Sequence, residues 1–140
     1  MQYKTNKPFR IALPALVMLV LSGCGGQSIC ADGEVLKTVK KLFDQQQFGQ
    51  FIQAPPTIFV VQEKSATLTS SDKQGGKSLC SLLVQSDILE MARFIGTSEA
   101  DLAKMKEEAP KRGLPLTKEY LINYSVQPMA SGQNHVTVLP

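Results

Sequence analysis

The chain has no tryptophan, one histidine and three cysteines, and past residue 21 it has no apolar run long enough to cross a bilayer. Each scarcity removes a class of function. With His135 as the lone imidazole, a Ser/His/Asp or Cys/His hydrolase has one base to draw on, and His135 stands at the start of the last strand, where a solvated strand end is the simpler reading. The cysteines show no CxxC spacing and no histidine beside them, so no metal site and no cofactor are expected. Aromatic residues make up 6% of the chain and no basic stripe is interleaved with them, which leaves nucleic acid without an electrostatic footprint. Charge of one sign is missing as well. Basic residues outnumber acidic ones 15 to 12, and Lys4, Lys7 and Arg10 carry the whole excess, so the rest of the chain is balanced.

What is present begins with that basic segment. It is followed by Ile11 to Leu21 (IALPALVMLVL), eleven apolar residues in a row. As a helix the run spans about 16 Å, half of a bilayer core of about 30 Å, so it reads as the apolar part of a secretory leader rather than a membrane span. Leu21-Ser22-Gly23-Cys24 abuts it directly. This resembles the lipobox of bacterial lipoproteins, in which a leucine and two small residues precede a cysteine that is lipidated and becomes the new N-terminus. The resemblance implies cleavage after Gly23, acyl chains such as palmitate on Cys24, and the lipid bilayer as the first partner. Several chains give lasting attachment, because each buried methylene contributes about 0.8 kcal/mol and one chain alone holds weakly. In the family an aspartate after the cysteine favours the inner membrane. Here Gly25 stands there, which implies the periplasmic face of the outer membrane.

Two cysteines remain, Cys30 and Cys80. In an oxidising compartment they are natural disulfide partners. A bond between them closes a loop of about 50 residues and removes roughly 4 kcal/mol of unfolded-state freedom. The alternatives are a buried free thiol at Cys80, which lies in an apolar stretch, and an intermolecular pair through Cys30. If the bond forms, only Gly25 to Ile29 separate it from the lipidated residue, a stretched reach of roughly 20 Å that keeps the domain close to the membrane.

The body of the chain divides into short elements. Asp32 caps a helix over Glu34 to Gln47, with Val35, Leu36, Val39, Leu42 and Phe43 on one stripe and Gly49 as its stop. Strands are expected at Thr57 to Gln62, Ser65 to Ser70 and Lys77 to Gln85, the last two joined by the turn residues Asp72 to Gly76. Asp87 with Glu90 forms a capping box for a helix over Ile88 to Ile95, and Thr97 or Ser98 caps a second, exposed one that ends before Pro110. Lys118 to Gln127 and His135 to Leu139 close the chain as a hairpin around Ser131-Gly132-Gln133-Asn134. The spacing predicts an α+β fold over residues 32–140, behind a leader at 1–23 and a tether at 24–31: an N-terminal helix on an antiparallel sheet of four to five strands, with a helical insertion before the last hairpin. A helix laid across a curved sheet resembles the cystatin-like architecture, a likeness of element order that carries no function with it.

The mature part holds no motif that names an activity. Glu107-Glu108 and Asp101 with Glu99 read as a solvated helix face. Gly75-Gly76-Lys77 lacks the spacing and the helix of a phosphate loop. Recognition is better served. Phe48-Gly49-Gln50-Phe51-Ile52 leads into an apolar strand, and Tyr120 and Tyr124 share one strand face, so Phe51, Tyr120 and Tyr124 are the candidate binding anchors, with core packing as the competing reading. The expectation is a non-enzymatic lipoprotein that binds another envelope protein. Three further readings are open: an accessory or exclusion lipoprotein of a secretion or conjugation system, an inhibitor or immunity protein against a cell-wall hydrolase, presenting Asp72 to Gly76 or Pro110 to Pro115, and a small hydrolase with a pocket near His135.

Overall fold

Asp32 starts the first element for a local reason. Its carboxylate accepts the backbone N–H groups of Glu34 (3.0 Å) and Val35 (3.1 Å), donors that a first helical turn otherwise leaves without partners. The helix it opens, α1, covers Gly33–Phe48 in the computed structural model, which describes residues 29–140. The segment read as a leader, Cys24 and the segment read as a tether up to residue 28 lie outside the described residues. Val35, Leu36, Val39 and Phe43 recur at helical spacing and are buried, with Leu42 half-buried at the flank of the stripe. Gly49 ends the helix at φ 86°, a conformation open to glycine, with its N–H donating to the Gln45 carbonyl.

The sheet is antiparallel throughout. Its spine is β3 (Ser78–Asp87), flanked by the long β4 (Thr117–Pro128), which is flanked in turn by β5 (Asn134–Val138). The other side of β3 is shared by two short strands. β1 (Phe59–Val61) pairs with residues 84–86 and β2 (Thr67–Ser71) with residues 78–81. The pattern Thr57 to Gln62 predicts a longer β1, and Ser65 to Ser70 an earlier β2. The difference lies in a 3₁₀ turn over Glu63–Ser65, in which the Ser65 hydroxyl accepts the Leu83 N–H (2.8 Å) that a continuous strand would have taken. The two strands are one edge strand interrupted by a serine.

Strict alternation along β3 places Ser78, Cys80, Leu82, Val84 and Ser86 inside. In register, Cys80 faces Tyr124, Leu82 faces Ile122 and Val84 faces Tyr120. These residues meet the buried stripe of α1 in one core with Ile58, Phe59, Val126, Val136 and Val138. The opposite face of the sheet is only partly covered, with Leu79, Ser81 and Leu83 half-buried and Leu121 66% exposed.

Between β3 and β4 sits the insertion, α2 (Ile88–Phe94) and α3 (Glu99–Lys111), capped by Asp87 and Ser98. Pro110 does not stop α3, contrary to the expectation that it ends earlier. The stop is Gly113 (φ 68°): its N–H reaches the Pro110 carbonyl and the Leu114 N–H the Ala109 carbonyl, while Gly96 (φ 97°) closes α2 with the same two-bond pattern. Pro110 lies in the last turn, where its missing N–H removes a single bond.

The Cys30–Cys80 disulfide is formed, closing a separation of 50 residues. Cys30 is fully buried and Ile29 packs on the core, so the domain begins within the segment read as tether.

Candidate functional site

The three anchors proposed from sequence are not brought together. Tyr124 is a correction: it is fully buried in the core, and its hydroxyl donates to the Cys30 carbonyl at 2.6 Å. Burial pushes its phenol up to about 12, since the charged form loses its water. This tyrosine works inside the molecule, tying the entry of the chain to β4. The signal was in the register: Tyr124 stands opposite Cys80, and a residue facing a disulfide under a helix has no route to solvent.

Tyr120 is half-buried. Its ring meets Phe59 at 6.1 Å and Phe43 at 6.2 Å, and Lys118 Nζ lies 4.8 Å from its centre. The cluster continues from Phe43 to Phe59 (5.0 Å), Phe59 to Phe48 (5.6 Å) and Phe48 to Phe94 (5.4 Å), all tilted or edge-on. Such contacts each add about 0.5–1.5 kcal/mol beyond burial. They assign Tyr120 chiefly to packing.

Phe51 alone has the exposure of an anchor, at 91%. Gly49 turns the chain out of α1, and Phe51 with its neighbour Ile52 (53% exposed) stands clear of the core before Ile58 re-enters it. Beside it runs a groove of about 690 Å³ between the last turns of α1 and β5, with Leu42, Gln45 and Gln50 on one wall and Val136 and Val138 on the other. No charged side chain lines it. Sequence reasoning named Phe51 but not the groove, whose second wall comes from a strand 85 residues further on. Leu42, at the edge of the α1 stripe, was the one local sign that the helix flank is left open.

The remaining chemistry is dispersed. His135 is exposed, and its Nε2 lies 3.4 Å from the Thr137 hydroxyl. The carboxylates of α3 are taken up in ion pairs, Glu107 with Lys111 (2.7 Å) and Glu108 with Arg112 (3.0 Å). Glu99 bonds Arg93 at 2.8 Å, which holds its carboxyl below the usual range. Gly75-Gly76 forms a hairpin turn, where the Asp72 carboxylate accepts the Gln74 N–H. Among the described residues no group of three or more His, Cys, Asp or Glu side chains is placed to hold a metal ion, and no helix is long and apolar enough to cross a membrane. No family model, curated protein or solved structure matches the chain, so the cystatin-like likeness rests on element order alone.

Proposed function

We propose that the chain is a lipid-anchored protein on the periplasmic face of the outer membrane, whose small domain binds another envelope protein without catalysing a reaction. The observation that carries the reading is Leu21-Ser22-Gly23-Cys24 set directly behind a basic segment and an eleven-residue apolar run. The disulfide supports it from the other side of the chain, because such bonds persist in oxidising compartments. Phe51 and the uncharged groove beside it are the contact surface this reading favours: an exposed aromatic next to an apolar wall is the composition of a binding anchor.

The test is fractionation of Cys24→Ala, which is expected to leave the protein soluble or unprocessed, with loss of acyl-chain labelling. A variant still cut to mature size and still pelleting with membranes would overturn the anchor. For the domain, crosslinking in the envelope is expected to capture a partner that Phe51→Ala loses and His135→Ala keeps, with both variants folded. The reverse pattern would point to chemistry at His135.

A further inference from the structure

The described chain enters the domain at one end of the sheet, and the position of that entry restricts how an anchored domain can stand. Cys30 is bonded to Cys80, two residues from the start of β3, and its carbonyl is held by Tyr124. Ser78 pairs with Val126, so this end of the sheet carries both tight hairpins, residues 72–77 between β2 and β3 and residues 129–133 between β4 and β5. The first turns of α1 lie here too, beside Gly132 and Gln133. The insertion lies at the opposite end, where β3 finishes and β4 starts.

From this geometry, and resting on the proposed lipid anchor at Cys24, we infer that the domain stands with its two hairpin tips on the bilayer and its α2–α3 end pointing away from it. The argument is one of reach. Stretched fully, the segment from Cys24 to Cys30 spans roughly 20 Å. The sixteen residues of α1 alone put about 24 Å between the two ends of the domain. An inverted pose would lift Cys30 further from the surface than its tether extends.

The hairpin end also has the chemistry for that surface. Of its acids, Glu34 is paired with Lys37 at 2.7 Å, while Asp32 and Asp72 accept backbone N–H groups and keep their charge. Lys73 and Lys77 are exposed, and among the described residues neither forms an ion pair. Two uncommitted ammonium groups suit the phosphates of anionic lipid headgroups. Met129, 51% exposed at the other tip, offers an apolar side chain to the same plane. In the insertion Arg93, Lys104, Lys111 and Arg112 face carboxylates, and Lys106 is exposed with no ion pair among the described residues, so the insertion has one such cation where the hairpin end has two.

The absence of tryptophan makes the test direct, since each introduced tryptophan is the sole indole. Full-length lipidated Met129→Trp and Ile95→Trp are reconstituted into phosphatidylethanolamine and phosphatidylglycerol vesicles with brominated acyl chains. Trp at 129 is expected to lose most of its emission and Trp at 95 none. Lys73→Gln with Lys77→Gln, or high salt, is expected to reduce quenching at 129 while the protein still floats with the vesicles. Equal quenching at both sites, or none at either in floating protein, would overturn the orientation. Protein that fails to float overturns the anchor itself, and the orientation with it. Amide exchange of the unsubstituted protein gives a check free of folding artefacts: residues 129–133 gain protection on vesicles and α3 does not. Protection gained in α3 instead would equally reverse the assignment.

Discussion

Two helical regions of this molecule are held by different physics. α1 buries four apolar side chains against the sheet and is pinned at its head by a disulfide and a buried tyrosine bond. The insertion buries Ala92 from α2 and Leu102 from α3, and its ordering rests on caps, Schellman-type ends and ion pairs on the surface. The α1 region draws on burial and chain-entropy terms that ionic screening does not weaken. The insertion draws on terms that water and salt weaken. The difference implies that α1 and the sheet open only with global unfolding, whereas the insertion opens locally at lower free energy.

The largest effect that would sharpen this contrast is loss of the disulfide. Cys80→Ser releases a 50-residue loop constraint and leaves a hydroxyl in the core, so stability is expected to fall by about 4 kcal/mol and the melting temperature by roughly 15 °C or more. Thermal unfolding followed by circular dichroism measures it. A drop of a degree or two would show that the head of α1 is held by packing alone.

Tyr124→Phe comes next. It removes the donor to the Cys30 carbonyl in a fully buried place, at a cost of about 1–3 kcal/mol. It also changes the response to alkali. In the folded protein the phenol holds its proton up to about 12, while the unfolded chain releases it near the ordinary value of about 10. Between those values the unfolded state binds fewer protons, so stability is lost as pH rises through the window and is flat for this group below it, a loss of about 2–3 kcal/mol in all. Stability curves taken from pH 9 to 12 are expected to show this decline in the native protein and less of it in Tyr124→Phe. Parallel curves for the two proteins would remove the buried phenol as the cause.

How much of this was legible depends on whether the deciding contact is local. The α1 stripe, the Asp32 and Asp87 caps, the strict alternation of β3 and the alternate apolar positions of β4 are written in spacings of two to four residues, and those elements lie where the pattern puts them. Two boundaries moved because a single side chain or bond competed with the pattern: the Ser65 hydroxyl took a ladder donor from its strand, and Gly113 rather than Pro110 ended α3. The binding surface was the least legible. Tyr120 and Tyr124 read alike in sequence, both on the inner face of β4, and only cross-strand register separates the one opposite Cys80 from the one in the aromatic cluster. Phe51 was legible because it follows a helix-stopping glycine and precedes two prolines, where a large apolar side chain has no element to bury it. Its groove was not, because the β5 wall is brought there by tertiary packing.

The smallest effect tests the insertion itself. Arg93 links its two helices: the guanidinium contacts Glu90 on α2 and bonds Glu99 on α3 at 2.8 Å, with all three side chains substantially open to water. These contacts raise the arginine above its ordinary value and hold Glu99 below its own, yet at such exposure they are screened and contribute little to global stability. Arg93→Ala is therefore expected to leave the melting temperature without a resolvable change. What it loosens is the attachment of α3, whose one buried side chain is Leu102. Amide exchange in α3 is expected to quicken in the variant while α1 keeps its protection, and raising the salt is expected to bring the unsubstituted protein toward the variant's rates. If α1 quickened equally, the insertion and the α1–sheet body would open as one cooperative unit, and the contrast between the two helical regions would be one of appearance and not of energetics.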